Sequence, residues 1–63
     1  MNDGVIKIWE TDDGYRYRAV APNGQEETFS HSDRRVLTER VGDCVRSMLA
    51  VWTTNVSVMW MED

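Results

Sequence analysis

Sixty-three residues carrying a net charge of −4 make one domain, close to the size limit below which a chain struggles to bury a usable core. The acidic balance argues against general binding to nucleic acid or anionic lipid. The single cysteine, Cys44, rules out an internal disulfide, so stability has to come from packing, in which three Trp, two Tyr and one Phe are the largest contributors.

Val5 to Glu10 alternates and is rich in strand-forming residues, so it reads as a first strand. Thr11-Asp12-Asp13-Gly14 is a turn, since Asp and Gly tolerate the backbone angles that turns demand. Tyr15 to Ala21 alternates again and reads as a second strand. Pro22-Asn23-Gly24 has the chemistry of a three-residue hairpin loop: Pro presets the first φ and Gly supplies the left-handed residue. Gln25 to Ser30 completes a third strand.

Burial of one face selects the register. A three-residue loop pairs Ala21 with Gln25, Tyr17 with Phe29, Arg18 with Thr28 and Val20 with Glu26, which separates an aromatic face from a mostly polar one. An even-length first loop groups Ile6 and Ile8 with Tyr15, Tyr17 and Ala19. An odd one would group them with Arg16 and Arg18, because a slip of one residue flips every side chain.

A helix is expected to begin near His31-Ser32-Asp33. Ser30 with Asp33 has the form of a capping box, and Ser32 is the rival cap. Leu37, Val41, Cys44, Val45, Met48 and Trp52 fall on one helical stripe. Gly42, followed by Asp43, leaves two readings open: a continuous or gently kinked helix, or a break. Thr53-Thr54-Asn55 ends the helical pattern. Val56 to Met61 reads as a last strand, with Val56, Val58 and Trp60 on one face and Ser57, Met59 and Met61 on the other. The expected fold is therefore α+β, in the order β-β-β-α-β. A right-handed crossover sets the last strand beside the first, for a mixed sheet of order 3-2-1-4 with one helix on one face.

That arrangement leaves the other face open. It should carry Lys7, Trp9, Arg16, Arg18, Val20, Glu26 and Thr28, joined by Met59 and Met61 from the last strand. Trp9 near Arg16 or Arg18 suits cation–π stacking. Trp, Arg and Met are enriched in protein interfaces. The plainer reading is a solvated face on which Arg stems shield Trp9. A second feature is an acidic end, where Asp12, Asp13, His31, Asp33, Glu62 and Asp63 should gather. They suit a basic partner or a divalent cation, or they are solvated turn charges, with Asp33 favouring the helix N-terminus. No spacing resembles a zinc or EF-hand site, so neither a metal nor another cofactor is expected.

Catalysis is not expected. Cys44 falls on the buried stripe, far from His31, and Asp12-Asp13 and Glu26-Glu27 are adjacent pairs at turns or strand ends. A phosphate-binding glycine loop is missing. Met1-Asn2-Asp3-Gly4 lacks the basic region and apolar run of a signal peptide, and the longest apolar stretch, Met48 to Trp52, is too short to span a bilayer. The expected compartment is a reducing cytoplasm, where the Asn55-Val56-Ser57 sequon is a chance match.

Gly14-Tyr15-Arg16-Tyr17-Arg18-Ala19-Val20-Ala21-Pro22-Asn23-Gly24-Gln25 resembles the hairpin of the YegP-like family of small bacterial and archaeal domains. The resemblance covers about a fifth of the chain and implies a hairpin followed by a helix and a strand. Where that family usually carries a Ser-x-x-Tyr-type pattern after the third strand, this chain has Ser30-His31-Ser32-Asp33. In size, acidity and sheet-plus-helix order the chain is also similar to phage-encoded inhibitors of host machinery, anti-CRISPR proteins among them. That similarity implies a binding protein that occludes a surface of a larger bacterial protein, through Trp9, Arg16, Arg18, Met59 and Met61 or through Asp12 and Asp13. Two other readings stand beside it: a homodimer formed through the open sheet face, and a single-stranded nucleic-acid binder that stacks bases on Trp9 and the arginines.

Overall fold

A computed structural model describes residues 3–51 and 55–61. It contains β1 (Gly4–Thr11), β2 (Gly14–Val20), β3 (Glu26–His31), α1 (Arg34–Val51) and β4 (Val56–Trp60). The four strands form one sheet of order β3-β2-β1-β4, and the fold is the expected α+β arrangement. β1–β2 and β2–β3 are antiparallel, and β1–β4 is parallel.

The registers follow from burying one face. Ile6 pairs with Ala19, Ile8 with Tyr17 and Tyr17 with Phe29, which places all five side chains on one side of the sheet. The first loop is even, as that burial requires: Thr11 pairs with Gly14 across Asp12-Asp13. In the second loop the Ala21 N–H donates to the Gln25 carbonyl at 2.8 Å, and the Gly24 N–H returns to the Ala21 carbonyl at 2.9 Å. Gly24 has φ of 93°, the left-handed conformation that a β-carbon disfavours. Asn23 Oδ1 accepts from the Gln25 N–H at 3.0 Å and closes the turn.

The helix starts later than its sequence signals suggest, and its cap is neither Ser30 nor Ser32. Asp33 takes that position: its Oδ1 accepts the Arg35 N–H at 2.8 Å, and its carbonyl accepts the Leu37 N–H. β3 runs on through His31, which uses Ser30 in the sheet, and the helix begins only at Arg34, which puts Asp33 rather than Ser32 directly before its first turn. α1 is continuous through Gly42. A β-carbon there would meet only Arg46 Nη1, at 3.9 Å, so packing does not require glycine.

Leu37, Val41 and Met48 are buried against Ile6, Ile8, Tyr17 and Ala19, with Cys44 and Val45 partly buried beside them. Trp52, expected on the same stripe, lies outside the described residues. Gly4 permits the closest approach to the helix, because a β-carbon there would stand 2.5 Å from Met48 Sδ. α1 packs more extensively on β2 and β3 than on β4. An α-helix with its side chains is ~10 Å across, whereas four strands spaced ~4.8 Å apart make a wider sheet. One helix therefore leaves part of its own face uncovered, and here that part is β4.

Candidate functional site

The open face is built as the alternation demands. Val5, Lys7 and Trp9 of β1 pair with Val20, Arg18 and Arg16 of β2, which pair in turn with Glu26, Thr28 and Ser30 of β3. On the other side Val5 pairs with Ser57 and Lys7 with Met59, and Met61 follows with its N–H donating to the Ile8 carbonyl at 2.7 Å. Trp9, Arg16, Arg18, Met59 and Met61 thus share one surface. Met59 and Met61 are 41% and 45% exposed, and Trp9 is half-buried among its neighbours.

The electrostatics of this face depart from expectation in one respect. Arg18 is held by Glu26, through Nε at 2.9 Å and Nη2 at 2.6 Å, and Arg16 Nε donates to Ser30 Oγ at 3.4 Å. The arginines lean toward β3, where they find acceptors, and neither stacks on Trp9. Among the described residues the cation–π contacts lie on the opposite face: Arg34 over Trp60 at 4.9 Å and Arg40 over Phe29 at 4.5 Å. Because a carboxylate or hydroxyl binds guanidinium directionally, the cross-strand acceptor outcompetes the ring.

The acidic end assembles in part. Asp12 and Asp13 are exposed in the first turn, with Thr11 Oγ1 donating to Asp13 Oδ1 at 3.4 Å. The turn packs against the approach to the helix, since a β-carbon on Gly14 would lie 2.5 Å from the His31 carbonyl oxygen. His31 Nδ1 accepts the Asp33 N–H at 2.9 Å, so both residues serve to shape the helix start. Among the described residues no three acidic, His or Cys side chains come together as metal ligands. Glu62 and Asp63 lie outside those residues.

A groove of about 540 Å³ runs between α1 and the β2–β3 hairpin, lined by Tyr17, Glu27, Arg40 and Cys44 among others. Its polar groups satisfy one another. The Tyr17 hydroxyl donates to Glu27 Oε2 at 3.0 Å, and Arg40 Nη2 approaches the same oxygen at 3.6 Å. Burial, then the bond to Glu27, pushes the Tyr17 phenol up to about 12. Burial, then the charge of Glu27, also raises the Cys44 thiol, which stays protonated at neutral pH and gains none of the activation a nucleophile needs.

One set of exposed residues escaped the sequence reading. Val58 and Trp60 sit on the helix-bearing face, where alternation suggests burial, yet they are 45% and 47% exposed, and Leu49 of α1 is 46% exposed. The strand pattern carries no sign of this. The signal that could have shown it is the mismatch between the width of one helix and that of four strands.

No helix among the described residues is long and apolar enough to cross a membrane. Neither a family model, nor a curated protein, nor a solved structure matches this chain.

Proposed function

We infer that this chain is a small protein-binding module that docks through the open face of its sheet. The observation that carries this reading is the row formed by half-buried Trp9, exposed Met59 and exposed Met61, flanked by Lys7 and Arg16, on a face that no helix covers. A flat patch with an aromatic anchor, adaptable thioethers and a cationic rim has the composition of an interaction hot spot. Its mode of action is occlusion: an acidic domain of this size, bound on a larger bacterial protein, blocks a surface that the larger protein needs. Phage-encoded inhibitors of the anti-CRISPR type act in this way, and the chain's size, acidity and sheet-plus-helix order suit that class.

The test is capture from bacterial lysate on the immobilised protein, read by mass spectrometry, with a Trp9→Ala, Met59→Ser double variant as control. The expected result is one enriched host protein whose affinity falls at least ~30-fold in the variant, the scale of losing a hot spot. Circular dichroism confirms that the variant is folded. A partner retained in full by the variant would move the docking surface elsewhere.

A further inference from the structure

Among the described residues the outer edge of β4 has no strand beside it, and its backbone pattern suits a second copy of the chain. β4 is the last strand of the sheet order, paired with β1 on one side only. The Gly4 N–H donates to the Asn55 carbonyl, and the Met61 N–H donates to the Ile8 carbonyl. Residues alternate along a strand in the side to which they direct their N–H and C=O. Asn55, Ser57, Met59 and Met61 therefore serve β1, and Val56, Val58 and Trp60 direct both groups to the outer edge.

An antiparallel partner with Val58 opposite Val58 matches this pattern. Val58 would exchange two hydrogen bonds with its own copy, and Val56 and Trp60 would each exchange two with the other copy's Trp60 and Val56. Every outward group of the strand then has a partner, and a two-fold axis passes through the Val58 pair. Val56–Trp60 contains neither a charge nor a proline, two of the usual protections of an edge. Exposed apolar side chains flank the edge on both faces: Val58, Trp60 and Leu49 on one, where Arg34 lies over Trp60, and Met59 and Met61 on the other, beside Ser57. Leu49 and Arg34 lie near the same flank of α1 at helical spacing, and Arg34 marks that flank as the one facing β4. A second copy at this edge would cover the edge-facing parts of these exposed side chains, apolar burial that adds to the strand hydrogen bonds.

We propose that the β4 edge is a homodimer interface, in which two copies join antiparallel about Val58 into a continuous eight-stranded sheet. The outermost strands of that sheet are the two β3 edges. Each carries Glu26 and Glu27, whose charges disfavour further strand addition, so assembly closes at two copies. This inference shares Met59 and Met61 with the docking surface above but not Trp9, so Trp9→Ala distinguishes the two.

The test combines sedimentation of the full chain over a concentration series with amide hydrogen exchange. The expected result is a monomer–dimer equilibrium in which the Val56, Val58 and Trp60 amides are protected only when concentrated, whereas Ser57, Met59 and Met61 are protected throughout. Val58→Pro removes an outward N–H and spares the β1 bonds, so it should give a folded monomer that still captures any partner of the open face. Should Val58→Pro fail to fold, Trp60→Lys tests the same edge through its side chain, and loss of the dimer is again expected. A protein that stays monomeric at millimolar concentration, with those three amides exchanging freely, overturns the proposal. So does a dimer that survives the folded edge variants and dissociates in Trp9→Ala.

Discussion

The two edges of the sheet are built on opposite plans. β3 is acidic and tied down: Glu26 holds Arg18, Glu27 accepts from Tyr17 and faces Arg40, and the Arg40 guanidinium covers the Phe29 ring. β4 has no ionisable side chain and less cover from the helix: Val56 packs against the core and Arg34 lies over Trp60, while Val58 and Trp60 stay exposed. Both strands supply one face to the same core, so the contrast is not about folding. An edge that is charged and cross-linked to its neighbours resists strand addition, and an edge that is apolar and bare invites it.

The comparison can be broken most severely at the anchor of the β3 side. Gly14 has φ of 150°, and a β-carbon there would lie 2.5 Å from the His31 carbonyl oxygen and 2.6 Å from Ser32 Cα. Since backbone cannot yield as a flexible side chain does, Gly14→Ala should cost about 3 kcal/mol or more, read by urea denaturation. Gly4→Ala meets the movable Met48 thioether instead and should cost less.

Tyr17 offers the next largest effect, through pH. Its phenol lies at about 12 in the folded protein against 10.0 ordinarily, chiefly through burial. The unfolded chain therefore loses this proton first. The contribution is fully present below pH 10 and is lost as pH rises toward 12. Stability should fall by roughly 2 kcal/mol across that window. Tyr17→Phe removes this part of the decline, and a variant that declines as steeply as the parent would exclude Tyr17 as its source.

Gly42→Ala should act in the other direction and leave both edges unchanged. The position is helical, its conformation is ordinary and the added methyl has room, so a gain of about 1 kcal/mol is expected in the same denaturation experiment. The smallest effects sharpen the contrast itself. Arg34→Ala, which removes one exposed stacking contact on the β4 side, should cost about 0.5 kcal/mol. Arg40→Ala on the β3 side loses both its ring contact and its approach to Glu27, and should cost about twice as much. Equal losses would mean that the two edges are not held differently.

Much of this was legible in the residues. Both hairpin registers and the membership of the open face follow from alternation, because a slip of one residue would bury Arg16 and Arg18 in place of Tyr17, and the order of strands follows from the hairpins and a right-handed crossover. Trp9, Arg16, Arg18, Met59 and Met61 do share a surface. The partners of the arginines were less legible: Arg18 lies across from Thr28, yet it reaches diagonally to Glu26, a choice made by side-chain reach and not by register. The helix cap was read as Ser30 or Ser32 and is Asp33, because the length of β3 and the point at which the helix starts are not written in the local capping pattern.

By itself, the sequence determined which side of each strand faces the core and where the turns fall, since these depend on periodicity and on local backbone preference, and the handedness of the crossover then placed the last strand beside the first. The tertiary structure alone decided how far the helix reaches across its sheet. Coverage is a matter of width and lateral placement, and a one-dimensional pattern of apolar residues carries neither. For that reason Val58 and Trp60 read as core in the sequence and stand exposed at an open edge in the fold.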